Sequence, residues 1–288
     1  MIDFKNLEVP YFIAEIGINH NGDIKIVKKL IDAAFACNWD CVKFQKRNPD
    51  VCVPDILKNN IRKTPWGEIT YLEYRKKVEF GKREYNYIDK YARDKPIDWS
   101  TSVWDLDSLE FILPYELPFI KIPSAMLTND ELLKETSKIN TTIILSTGMS
   151  EIKEIDHAVN IIKKYNKNDL VLMHCNSSYP TPIEELNLNI IPFLKKRYNC
   201  IIGYSGHESD LEPTVVAVVM GAKVIERHIT LSHDMWGTDQ KSSLEVVGMD
   251  MLRKRVKDVS VMLGDGVKRV TKSEEEIKNK LRKLNSKE

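Results

Sequence analysis

No apolar run in this sequence approaches the roughly 18 residues of a membrane-spanning helix, and no apolar signal segment opens the chain, so neither insertion nor export is expected. Cysteine is sparse. The five (Cys37, Cys41, Cys52, Cys175, Cys200) are odd in number and scattered, and no C-x-x-C pair occurs. That argues against a disulfide scaffold or a zinc ribbon and for reduced thiols in a cytoplasmic protein. A charge imbalance is also missing. With 43 Lys+Arg against 42 Asp+Glu, the net charge of +1 steers the chain toward neither nucleic acid nor an acidic membrane surface. The glycine-rich turn of a dinucleotide fold is absent too, since Gly17-Ile18-Asn19-His20 is not G-x-G-x-x-G. No low-complexity linker divides the 288 residues, a length that suits one large domain or two ordinary ones.

What is present is alternation. Short apolar runs at 11–16, 41–44, 97–101, 118–122, 142–146, 170–174, 201–207 and 223–230 are separated by helical patterns. The exception is 46–81, which contains Pro49, Pro54 and Pro65 and reads as a long irregular insertion. Short, nearly all-apolar strands between helices predict a parallel sheet covered on its outside, and eight of them predict a closed (β/α)8 TIM barrel. Ser150 is placed as the cap of a helix to about Tyr165. The barrel is expected over 1–270. The charged remainder, 271–288, reads as a solvated helix with Ser273 and Glu276 spaced as a capping box.

Chemistry in such a barrel sits at the carboxyl ends of the strands. Those ends carry Glu15, Lys43 and Gln45, Thr101, Lys121 and Ser124, Ser146, the run from His174 to Tyr179, Ser205 and His207, then Glu226 and His228. His207 and His228 end consecutive parallel strands, which brings them to one rim within reach of a single metal ion. Lysines inside buried runs need a counter-charge. A bound phosphate or carboxylate would supply it. Alternatively, Lys43 and Lys121 could pair internally with Glu15 and Glu226. His174 alone reads as a hydrogen-bonded core histidine.

Several of these runs carry a resemblance. Ala14-Glu15-Ile16-Gly17-Ile18-Asn19-His20-Asn21-Gly22, Val42-Lys43-Phe44-Gln45, Leu145-Ser146-Thr147-Gly148-Met149 and Glu226-Arg227-His228-Ile229-Thr230 resemble the sialic acid synthase family. Phe119 to Ser124 and His174 to Pro180 are similar to two more of its signatures. The resemblance implies condensation of phosphoenolpyruvate with an aldose, typically an N-acetylated hexosamine such as N-acetylmannosamine, to a 2-keto-3-deoxy sugar acid and phosphate. It also implies a divalent metal, manganese or magnesium, held by His207 and His228. Lys43, Thr101, Lys121, Ser124, Ser146 and Ser205 match positions that hold phosphoenolpyruvate. Glu15, Gln45, Tyr179 and Asp239 match positions near the sugar and the reacting carbons, with Glu15 and Asp239 as candidate bases.

Three departures touch the acceptor side. Ser177 stands where the bacterial members have a binding asparagine. Met235-Trp236-Gly237-Thr238-Asp239-Gln240 replaces a Pro-Gly-Pro-Asp pattern. The sequence stops where the small C-terminal antifreeze-like domain of full-length members, which reaches across a swapped dimer, would begin, so a barrel without it is the expectation. A homodimer is expected, with a separate antifreeze-like chain as a conceivable partner. Other readings are a related synthase making a deoxyoctulosonate or deaminated nonulosonate, a metal-dependent barrel hydrolase, and a non-enzymatic sugar-binding barrel. The hydrolase would want His-x-His at the first strand, which the run from Glu15 to His20 lacks. The sugar-binding barrel would have lost some of these lysines and histidines, and none is missing.

Overall fold

The computed structural model describes residues 2–282. Eight parallel strands close into a barrel: β1 (Tyr11–Gly17), β2 (Cys41–Lys46), β5 (Asp98–Val103), β6 (Phe119–Ile122), β7 (Thr142–Ser146), β8 (Leu170–His174), β9 (Ile201–Gly206) and β10 (Val224–His228). They neighbour one another in chain order, and β10 pairs back onto β1. The fold is the (β/α)8 barrel that the alternation predicted.

The period-2 alternation of each strand sorts its residues into two shells. Outward residues such as Phe12, Val42, Trp99 and Ile225 pack against helices, for example Ile24–Ala36 and Lys82–Asp94. Inward residues form layers. The lower layer is apolar: Phe4 from the N-terminal segment plugs the barrel beside Tyr11 and Phe119, with ring centroids at 5.3 and 6.2 Å. The upper layer is polar, and it forms the floor of a cavity at the carboxyl ends.

Several expectations need correction. The segment 46–81 is ordered, with two one-turn helices at Pro49–Cys52 and Asp55–Lys58. The antiparallel hairpin of β3 (Ile61–Thr64) and β4 (Gly67–Thr70) follows, and then the helix Tyr71–Val78. Thr70 and Glu73 cap that helix reciprocally. The helix expected to start at Ser150 has Glu151 as its cap, because Glu154 folds back onto the Glu151 N–H at 2.7 Å. The tail helix is Lys272–Leu281, capped by Thr271 and Glu274 rather than Ser273 and Glu276, and it buries no residue. The expected continuation over 283–288 lies outside the described residues.

β5 extends two residues beyond the expected end at Thr101. This shifts which hydroxyl faces the cavity. Ser100 and Ser102 point inward, Ser102 accepting from Lys43 Nζ at 2.8 Å. Thr101 points to the helical shell, 3.4 Å from the Tyr85 hydroxyl.

Candidate active site

The polar layer lines a cavity of about 200 Å3 at the carboxyl rim. Of the expected site residues, Glu15, Lys43, Gln45, Lys121, Ser124, Ser146, Ser177, Tyr179, Ser205, His207 and His228 all line it. Two do not. Thr101 is turned away by the strand phase just described. Asp239 sits in the loop after β10 and accepts from the Thr238 hydroxyl at 2.6 Å; its charge is felt by Tyr179 and His228, so it stands above the cavity rather than in its wall. Sequence reasoning missed Ser102 and Trp104. Inward alternation carried two residues further along β5 would have found Ser102.

Two ion pairs hold the floor. Lys43 Nζ lies 2.7 Å from Glu15 Oε2, and Lys121 Nζ lies 2.8 Å from Glu226 Oε2. Lys43 also stands 3.6 Å from Glu226, so Glu226 answers both lysines. The register explains this. Glu15 pairs with Lys43 across β1 and β2, and Glu226 projects into the same layer from β10. The internal pairing left open by the sequence is therefore present. Gln45 Nε2 donates to Glu15 Oε1 at 2.8 Å, and Ser205 donates to Glu226 at 3.3 Å.

Electrostatics separates the two carboxylates. Burial opposes the Glu226 charge, but Lys121 and Lys43 outweigh it, and Glu226 is held below the ordinary carboxylate range. Glu15 goes the other way: burial, followed by repulsion from Glu226, exceeds the help of Lys43 and raises it. Of the two, Glu15 is the carboxyl better suited to take and return a proton. Burial lowers Lys121. Lys43 is raised, since Glu15 and Glu226 overcome its desolvation.

At the other wall, the rings of His207 and His228 lie 5.6 Å apart between centroids. Burial, then the neighbouring His228, pushes His207 down to about 4; burial likewise lowers His228. Both imidazoles are neutral near pH 7 and keep a lone pair for a ligand. The His207 Nδ1–H donates to the Asn176 carbonyl at 2.5 Å, a tautomer assigned from that bond, which leaves Nε2 as the lone-pair nitrogen 3.0 Å from the Tyr179 hydroxyl. His228 Nδ1 is buried without a partner. No group of three or more His, Cys, Asp or Glu side chains gathers to hold a metal among the described residues. The pair can thus serve as two ligands of an ion whose remaining positions are filled by substrate and water oxygens.

The opposite corner is small by design of the backbone. Ser124 Oγ accepts from the Gly148 N–H at 3.0 Å and lies 3.2 Å from Cys175 Sγ. A Cβ at Gly148 would fall 2.5 Å from Ser177 Oγ and 2.9 Å from Ser124 Oγ. Only glycine lets these hydroxyls converge. His174 stands outside this set, hydrogen-bonded to the Leu186 carbonyl at 2.6 Å.

Comparison with known proteins gives the same direction. Residues 30–268 match the model of the NeuB family. The chain is 36% identical over 275 residues to an N,N'-diacetyllegionaminic acid synthase of Campylobacter jejuni, covering 94% of this chain and 82% of that protein. It is 38% identical to an N-acetylneuraminate-9-phosphate synthase of Drosophila melanogaster, covering 85% and 66%. Among solved structures it superposes on the sialic acid synthetase of Leptospira borgpetersenii in complex with citrate, with a TM-score of 0.83, 30% identity and coverage of 97% and 93%. With the barrel, the cavity and these likenesses together, the chain belongs to the NeuB family of sialic acid synthases.

Proposed function

We propose that this protein joins phosphoenolpyruvate to an aldose, an amino sugar of the N-acetylmannosamine kind, forming a 2-keto-3-deoxy sugar acid and releasing phosphate. The observation that carries this reading is the buried pair Lys43 and Lys121, answered by Glu15 and Glu226 inside a cavity of about 200 Å3. Two ammonium groups at a strand-end cavity can exchange protein carboxylates for the carboxylate and phosphate of a small dianionic or trianionic substrate. The hydroxyls of Ser102, Ser124, Ser146 and Ser205 supply further donors that need no reorganisation.

Carbon 3 of the enol ester attacks the acceptor aldehyde, and water adds at carbon 2. Glu15, raised by burial, is placed to take the proton of that water, with Asp239 as a second candidate base from above. Gln45, Ser177 and Tyr179 face the sugar end. A divalent metal, Mn2+ or Mg2+, bound at His207 and His228 would polarise the acceptor carbonyl as a Lewis acid. The Tyr179 hydroxyl is raised by burial and nearby carboxylates, so it stays a neutral donor.

Residues 1–270 form the catalytic unit in this reading, with 271–288 as an appendage. A cytoplasmic setting fits the five free thiols and the lack of any helix long and apolar enough to cross a membrane among the described residues. A homodimer belongs to the same reading, as does a separate antifreeze-like chain completing the sugar side. The deciding experiment is phosphate release from phosphoenolpyruvate across a panel of aldoses, including sugars without an acetamido group, which separates the alternative deoxyoctulosonate and deaminated products. Absence of release with every aldose, with or without an antifreeze-like partner, ends the proposal.

A further inference from the structure

Behind the two rim histidines, on the outer side of the barrel wall, lies a buried ion pair that the condensation leaves unused. Arg227 Nη1 stands 3.0 Å from Glu208 Oε1, and the two side chains are 0% and 1% exposed. The strand phase places them there. Ser205 and Glu226 point into the cavity, so Gly206 and Arg227, partners in the register of β9 and β10, face the helical shell. Neighbouring outward positions are apolar, among them Leu145, Leu172, Ile202 and Ile225. Stability does not explain an Arg–Glu pair at this depth, because the desolvation of two charges offsets most of their attraction.

What the pair does hold is the backbone beside the histidines. Arg227 Nη2 donates to the Glu208 carbonyl, and Nη1 donates to the Asp210 carbonyl at 3.1 Å, both in the loop that leaves His207. Nη1 also donates to the Thr214 hydroxyl at 2.9 Å, in the first turn of the helix Glu212–Val219. The Glu208 carboxylate accepts from the Tyr204 hydroxyl at 2.9 Å and from Thr214 at 3.2 Å. Gly206 makes room for the pair: a Cβ there would fall 2.7 Å from both Glu208 carboxylate oxygens and 2.9 Å from Arg227 Cδ. Arg227 directly precedes His228, and Glu208 directly follows His207. The guanidinium thus ties the backbone that carries one histidine to the backbone that carries the other. His207 has a second restraint in its ring bond to the Asn176 carbonyl. His228 Nδ1 has no partner, so the placing of that ring depends on its backbone.

We propose that Arg227 and Glu208 are positioning residues for the rim histidines, fixing the spacing of His207 and His228 so that both imidazoles face one divalent cation. The inference rests on reading these histidines as metal ligands and goes beyond it, since neither Arg227 nor Glu208 lines the cavity. A metal ion binds tightly where its ligands stand at the required separation before it arrives. Ligands that must be drawn together lose part of the binding free energy to that movement. Arginine suits the role because its planar fork bonds several oxygens at once in a fixed geometry, which an ammonium on a flexible stem does not.

The test is calorimetric titration of the full, metal-free chain with Mn2+ and, separately, with phosphoenolpyruvate, in the native protein and in Arg227→Lys, Glu208→Gln and His207→Ala. Glu208→Gln is isosteric and still accepts from Tyr204 and Thr214, so it serves even where Arg227→Lys does not fold. Each of these two variants is expected to bind Mn2+ about 10- to 100-fold more weakly. Phosphoenolpyruvate affinity should stay within about twofold of native, and near-ultraviolet circular dichroism should stay native. The visible spectrum of bound Co2+ should shift in both variants, since it reports ligand geometry rather than fold. Mn2+ affinity unchanged in both overturns the inference while the metal reading stands. Parallel loss of Mn2+ affinity, phosphoenolpyruvate affinity and native dichroism marks a merely structural pair and overturns it as well. Mn2+ affinity indifferent to His207→Ala, or no Mn2+ binding by the native chain, overturns the metal reading and the inference with it. Mn2+ binding that behaves as expected in a chain that takes no phosphoenolpyruvate overturns the condensation while the positioning role stands.

Discussion

Lys43 Nζ and Glu15 Oε2 meet at 2.7 Å with both side chains 2% exposed, so in the proposed reaction the group that would hold the anionic substrate is engaged by the carboxyl that would move a proton. In that reaction substrate binding would loosen this contact and free Glu15 as the lysine turned to the incoming anion, so that binding and activation of the base would be one event.

The first consequence concerns Glu226, which answers both lysines. Glu226→Gln leaves Lys121 without a carboxylate partner and should cost about 3–5 kcal/mol of stability. Inorganic phosphate at millimolar concentration should restore part of that loss by taking the vacated role. Urea denaturation with and without phosphate measures both effects. A variant as stable as the native chain would show that the lysines do not depend on Glu226.

Ser102 and Thr101 offer a direct contrast. Ser102→Ala removes a cavity hydroxyl bonded to Lys43 and should raise the KM for phosphoenolpyruvate about 5- to 10-fold. Thr101→Val, on the opposite face of the strand, should leave that KM within about twofold. Steady-state kinetics with phosphoenolpyruvate varied decides, and the reverse ranking would mean that the strand phase is wrong.

If His207 and His228 share a metal, replacing either with Ala should abolish divalent-metal-dependent turnover while circular dichroism stays native. Both lie near the end of their strands with helices packed outside, so the barrel does not need them to close. Full activity of both variants in the presence of a chelator would rule out the pair as ligands.

Part of the pH effect on folding should come from His20. It stacks on Phe80 at 4.0 Å, accepts from the Gly22 N–H at 3.0 Å, and burial pushes it from 6.5 down to about 3. The unfolded imidazole takes its proton near 6.5 and the folded one only near about 3, so between these values the unfolded chain binds more protons. His20 should contribute a fall in stability as pH falls through that window, about 2 kcal/mol from pH 7 to pH 5. His20→Gln keeps an acceptor and should remove the His20 share of that slope, leaving the shares of His207, His228 and His174, which burial also lowers. Chemical denaturation at the two pH values shows the slope, and an unchanged slope in the variant would assign it to another group.

The barrel was legible because its strands are short, apolar and bounded, and because polar residues recur at their downstream ends. Where a strand is polar on both faces the phase blurs: Trp99-Ser100-Thr101-Ser102 offers a hydroxyl to either side, and only the extension of β5 to Val103 settles which one faces in. The segment 46–81 hid its order for a different reason. β3 and β4 are exposed along most of their length and show no apolar alternation. The spacing of Thr70 and Glu73 was the one local signal of the helix behind them. Arg75 was concealed by its neighbours, since Arg75-Lys76-Lys77 reads as a solvated charge run until the helix turns its first member inward.

That same segment is contiguous between β2 and β5 and pairs with no barrel strand, its hairpin forming a sheet of its own. It carries Tyr74, packed on Trp236 in the loop after β10, and the buried Arg75, whereas the lysines and serines of the floor belong to the strands. Exchanging this one cassette for another of similar span should retune which sugar is accepted while the enol-phosphate chemistry below stays as it is. In the proposed reaction the architecture would then separate what the barrel does from what it does it to, and a swap of these residues between relatives tests that division.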